Sequence, residues 1–265
     1  MGDMNNEGVI RQFGRAIWPF VVYLAGYEIT AYLLQTALAW LLQMGTGELR
    51  IGILGREGDV SALLTALSMT AGYLVVFRMA GQEVVWSGKL VCSRVRAAVF
   101  AAGAVFLALF LNVLISISAP AGVSGPGTAS LLVSPVLGIL VYGVLSPAIE
   151  EIVFRGLVYG RLLQGSALGR LGAALLSSLL FALYHGNVTQ GIYAFCMGVF
   201  FCRFLDETGS LPAVAALHGA INLIVLFLSQ NGWYEGLCTP AWTVCFLGAA
   251  ACCGIALRFL PRFGS

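Results

Sequence analysis

Eight apolar segments, each near the length that crosses a bilayer, leave this chain few folds to adopt. They cover roughly residues 17–44, 60–80, 97–119, 131–152, 171–185, 188–205, 211–229 and 240–260. A spanning helix takes about 20 apolar residues. The bilayer interior admits only helices and closed barrels, because every backbone polar group there must be satisfied within the protein. Of the 265 residues, 59% are hydrophobic and 10% charged, against roughly 25% charged in an ordinary soluble domain. The expected fold is therefore all-α: a polytopic membrane protein of about eight transmembrane helices, forming a single integral membrane domain over residues 1–265. The first run, from Ile17 to Met44, far exceeds the roughly 7–15 residues of a signal-peptide core. The fifth segment is short, and the fourth extends helically through Gln164 if its apolar character is followed. A net charge of +2 implies no nucleic-acid partner.

Charge placement gives an orientation. With the N-terminus in the cytoplasm, eight spans put twelve of the fourteen Lys and Arg residues inside and leave only Arg50 and Arg56 outside, in line with the excess of basic residues on cytoplasmic loops. Both termini are then cytoplasmic, in the plasma membrane if the cell is bacterial or archaeal. The outer loop Ala119–Ser130, rich in Ser, Gly and Pro, reads as an irregular linker. The seven cysteines show no C-x-x-C and no metal-ligand spacing, and read as small apolar residues.

Against this background the ionisable residues inside the spans stand out, because such groups are expensive in hydrocarbon and usually functional. Glu150 and Glu151 are adjacent, and Arg155 follows Glu151 at i, i+4 on the same helical face. Glu150 points about 100° away from Glu151. It is the carboxylate without a partner, and so the candidate base. The two histidines of the chain also lie in apolar helices. Phe181 and His185 share a face at i, i+4, as do His218 and Asn222. Gly186, Gly219 and Ala220 would let helices or substrate come close. Glu28, in the first span, is read as paired with a neighbouring helix or facing an aqueous crevice.

These three motifs, Glu150-Glu151-x-x-x-Arg155, Phe181-x-x-x-His185 and His218-x-x-x-Asn222, resemble those of the CPBP family. That family comprises the intramembrane glutamic proteases, including CAAX-type prenyl-protein endopeptidases and Abi-type proteins linked to bacteriocin processing and immunity. The resemblance covers a protease core of about residues 131–230. It implies an active site inside the helical bundle, in which Glu150 and His185 activate a water molecule while His218 and Asn222 stabilise the oxyanion. Glu151, Arg155 and Phe181 support them, and no cofactor or metal is required. Arg155 would hold Glu151 or bind a substrate carboxylate. The implied substrate is a membrane-associated or lipid-modified peptide or protein: a prenylated CAAX-like tail, a peptide precursor or a membrane-anchored sorting signal. The residues agree with this chemistry independently. A carboxylate taken out of water becomes a stronger base, and His and Asn donors on one helical face converge on a developing negative charge.

Three other readings remain open. Glu150, His185 and His218 form a His₂Glu set of the kind that binds catalytic zinc, although no H-E-x-x-H is present. A non-proteolytic immunity or scaffold protein would keep the fold, but the intact polar set argues against loss of activity. A transporter would be expected to carry matching broken helices in both halves. For Glu150 and His185 to meet, the fourth helix must run on through Gln164 and the short fifth must end within the bilayer.

Overall fold

The computed structural model describes residues 3–80, 84, 89–118, 133–165 and 168–261. Among these there is no strand, and seven helices are long and apolar enough to cross a membrane. In chain order the helices are α1 (Asp3–Met44), α2 (Gly47–Leu54), α3 (Glu57–Ala80), α4 (Arg94–Ser118), α5 (Pro135–Gln164), α6 (Gly169–Tyr184), α7 (Val188–Thr208), α8 (Leu211–Gln230), α9 (Trp233–Leu237) and α10 (Pro240–Phe259). The eight apolar segments correspond to α1, α3–α8 and α10. Helix α1 begins well before Ile17, and the linker Ala119–Ser130 lies outside the described residues.

Helix α5 does run to Gln164, which sets Glu150 near the middle of this span. Helix α6 is the short one, 16 residues or about 24 Å. It stops because Gly186 takes a left-handed conformation (φ +68°), the usual helix stop. Asn187 then caps α7, its side chain accepting from the backbone N–H of Gln190 at 2.7 Å. This turn returns α7 antiparallel along α6, with the far ends of the pair held by an Arg170–Asp206 ion pair at 2.9 Å.

Small residues set the tightest helix contacts, as expected where no water drives association. A Cβ on Gly26 of α1 would lie 2.9 Å from Cα of Gly72 in α3. One on Gly219 of α8 would lie 2.0 Å from the carbonyl oxygen of Gly143 in α5. At the start of α5, the Ser134 N–H donates to Asp59 of α3 at 2.6 Å, which fixes the two helix starts at the same end of the bundle.

Helix α5 is not uniform. Two π-helical stretches, Gly138–Leu145 and Ile152–Tyr159, flank the α-helical turn Ser146–Glu151. Such wide turns recur at functional sites. Pro147 lies just after the first of them. In the π register each N–H bonds five residues back, as Ser146 does to Val141. Pro147 has no N–H, so the carbonyl of Tyr142 loses its donor. Nδ2 of Asn222 on α8 supplies one at 3.1 Å. Gly219 and Asn222, one turn apart on α8, thus meet two successive carbonyls of α5.

Candidate active site

The fold brings Glu150 from α5, His185 from the end of α6, and His218 and Asn222 from α8 to one cavity of about 310 Å³. Tyr27, Tyr142, Ser146, Phe181, Tyr184 and Phe201 contribute further to its wall. All four candidate catalytic residues therefore face a common space, while Glu151 and Arg155 lie behind it, 0% and 1% exposed.

Glu151 does more than neutralise Arg155. Its Oε1 accepts from Arg155 Nη1 at 3.1 Å and from His218 Nδ1 at 2.8 Å. An oxygen already paired with a guanidinium acts as acceptor, so Nδ1 of His218 carries the proton. Nε2 of the same ring then points to Glu150, with Oε2 at 3.7 Å. His218 thus bridges the two carboxylates that the helical period separates. Aromatic rings fix its plane: Phe201 lies against it with centroids 4.8 Å apart, and Phe181 meets it edge-on at 6.0 Å.

Arg155 is caged by the same two rings, its guanidinium carbon 4.4 Å from the centroid of Phe181 and 5.3 Å from that of Phe201. These are cation–π distances. A Cβ at Gly198 of α7 would come within 3.1 Å of Arg155 Nη2, so the absence of a side chain there makes room for the cation. Arg155 does not reach the cavity, and the alternative of a substrate carboxylate bound to it has no access. It also lies inside a span, and so does not contribute to the basic inner loops.

His185 is oriented differently from His218. Its Nδ1 is 2.8 Å from the carbonyl oxygen of Phe181. A carbonyl only accepts, so Nδ1 donates and the neutral ring keeps its lone pair on Nε2. That atom can take a proton or hold water. Phe181 packs edge-on to His185 at 4.8 Å and so touches both histidines as well as Arg155. Asn222 spends one amide N–H on Tyr142 and has a second available to the cavity.

The glycines divide between two functions. Gly219 permits the close approach expected of it, whereas Gly186 is required for its positive φ, and a Cβ there would meet nothing within 4 Å. Among the described residues no group of three or more His, Cys, Asp or Glu side chains is arranged to hold a metal ion.

Residue-by-residue reading missed Phe201, whose ring supports both Arg155 and His218, and the tyrosine cluster beside Glu150. In that cluster the hydroxyls of Tyr23 and Tyr184 are 3.1 Å apart. Tyr184, adjacent to His185, was within reach of a sequence argument. Tyr23 and Phe201 carry no local signal.

Residues 132–224, about a third of the chain, match the family model described as Rce1-like, type II CAAX prenyl endopeptidase Rce1-like. The stretch contains α5 to most of α8, and with them Glu150, Glu151, Arg155, Phe181, His185, His218 and Asn222, while Tyr27 of the cavity wall lies outside it. No curated protein and no solved structure matches the chain.

Proposed function

We propose that this polytopic membrane protein, whose residues 132–224 match the Rce1-like CAAX prenyl endopeptidase model, is an intramembrane endopeptidase of the glutamic type. The reading rests on one observation above all: Glu150, His185, His218 and Asn222, from three helices, line a single cavity midway along α5.

In this mechanism a water molecule sits between the Glu150 carboxylate and Nε2 of His185. Its oxygen attacks the scissile carbonyl carbon as a proton passes to Glu150. The new C–O bond forms and the carbonyl electron pair moves onto the substrate oxygen. Asn222, through its second N–H, donates to that oxyanion, and so does His218 through Nε2 once that nitrogen has taken up a proton from the surrounding solution. Each well-placed donor contributes roughly 3–4 kcal/mol to the transition state. As the tetrahedral intermediate collapses, the C–N bond breaks and the proton held by Glu150 passes to the leaving nitrogen. The products are an amine and a carboxylic acid, which then ionises. Glu151, Arg155, Phe181 and Phe201 act by holding the His218 ring.

Both termini are cytoplasmic in the proposed orientation. Basic residues gathered at one end of the bundle support it: Arg161 donates to the carbonyl of Arg15 at 2.8 Å, and Arg96 to those of Leu257 and Leu260, each at 2.7 Å. The matched family's description makes a prenylated CAAX-like tail the first substrate to test. A peptide precursor and a membrane-anchored sorting signal present the same bond to the same cavity. Membrane proteomes from cells carrying the wild type and Glu150→Gln, read for new C- and N-termini, test the activity without presuming the substrate. Termini specific to the wild type are expected, and identical sets would remove the proposal.

A further inference from the structure

Helix α1 crosses the hydrocarbon between two tryptophans. Trp18 lies beneath the guanidinium of Arg161, 4.9 Å from it, and Trp40 is exposed. Tryptophan favours the two interfaces of a membrane. The two are about 33 Å of helix apart, close to the roughly 30 Å of a hydrocarbon core. Glu28 falls near the midpoint, and it is exposed on the outer surface of the bundle. The pairing expected of it is not seen: among the described residues it makes no hydrogen bond or ion pair to a neighbouring helix, and it is not one of the side chains lining the catalytic cavity. A carboxyl group facing lipid tails at this depth is costly and rare.

Glu28 is not alone on that face. Ala25, Glu28, Tyr32, Gln35 and Ala39 are all exposed and succeed one another at steps of three, four, three and four residues, the spacing of a helix–helix seam. Tyr32 is 70% exposed. The nearby hydroxyl of Thr36 is satisfied within α1, donating to the Tyr32 carbonyl at 2.7 Å. The side chains of Glu28 and Gln35 have no such bond among the described residues.

We propose that this stripe is the interface of a homodimer, in which α1 packs against α1 of a second copy. The stripe complements itself. In a two-fold seam, residue i of one copy meets j of the other, and j meets i. Tyr32, one turn from Glu28, donates its hydroxyl to the carboxyl of the opposite copy, and this bond occurs twice. The Gln35 amides, donor and acceptor at once, pair across the axis. Ala25 and Ala39 let the two backbones close at either end. A foreign helix would need to match an acceptor, a hydroxyl and an amide at these same intervals, whereas a second copy does so by symmetry.

The test measures the mass of the purified full chain by light scattering in mild detergent, together with energy transfer between differently labelled copies in liposomes. The wild type is expected at twice the chain mass, with transfer that persists on dilution into excess lipid. Glu28→Leu combined with Gln35→Leu should be monomeric with the helical content of the wild type. Tyr32→Phe removes one exposed hydroxyl and leaves the buried face of α1 untouched; it should weaken self-association several-fold even if the double variant fails to fold. A wild type monomeric in both media, or a dimer indifferent to all of these changes, overturns the proposal. So does a stoichiometric foreign membrane protein bound in place of the second copy and lost in Glu28→Leu.

Discussion

Oε1 of Glu151 accepts from His218 at 2.8 Å and from Arg155 at 3.1 Å, so one buried oxygen joins the buried ion pair to a histidine of the cavity wall. In the proposed mechanism Glu151 and Arg155 are therefore coupled to the chemistry through His218. Removing either partner leaves an uncompensated charge buried behind the cavity.

Glu151→Gln and Arg155→Met should each destabilise the protein by about 3–5 kcal/mol, the usual cost of breaking a buried pair. The double variant should lose clearly less than the sum. Unfolding temperatures in detergent, combined as a double-mutant cycle, measure the difference. Strict additivity would remove the pair from the account.

Gly219→Ala should be among the most damaging single-methyl changes in the chain. The added carbon would lie 2.0 Å from a backbone oxygen of α5, and neither helix has a flexible side chain there to yield. Overpacking of this kind costs roughly 1–3 kcal/mol or more. Because His218 precedes Gly219 directly, activity should fall with stability. A variant with wild-type unfolding temperature and turnover would show that α5 and α8 do not meet at this point.

How much of this was legible before the structure depends on the range of each contact. The Glu151–Arg155 pair follows from an i, i+4 spacing, and the same local rule groups His218 with Asn222. The depth of Glu150 was legible because apolar character continues to Gln164. The double duty of Glu151 was not, since it depends on His218, 67 residues away. Nor was the π register on either side of Glu150. Pro147 is plain in the sequence, but a proline states only that a donor is missing. That Asn222 replaces it becomes visible once α8 is packed on α5. Glu28 was read as paired or hydrated because intramembrane acids usually are, and its exposure follows from the position of α1 at the edge of the bundle.

Asn222→Ala should act on two quantities at once. It leaves the part-buried Tyr142 carbonyl without its donor, a loss of at most about 1–3 kcal/mol, the cost of an unsatisfied buried group, and in the proposed mechanism it removes an oxyanion donor. Unfolding temperature should fall, and kcat should fall more than KM rises, because donors to a developing charge act chiefly on the transition state. A change in KM alone would deny Asn222 the second role.

Chelation separates the metal-free reading from the zinc reading. Activity should persist in strong chelator, and elemental analysis should find no stoichiometric zinc in the purified enzyme. One tightly held zinc per chain, lost with activity in His218→Ala and retained in Asn222→Ala, would make His218 a ligand instead of an oxyanion donor.

The central claim, that Glu150 is the base of an intramembrane endopeptidase, is tested most directly in proteoliposomes with a farnesylated peptide ending in a CAAX-like sequence. The measurement is the rate at which the C-terminal tail of this peptide is released by the wild type and by Glu150→Gln, which keeps the size of the side chain and removes its basic carboxylate. The account predicts release by the wild type and its loss in a Glu150→Gln protein that remains folded. Near-normal turnover in Glu150→Gln would contradict it.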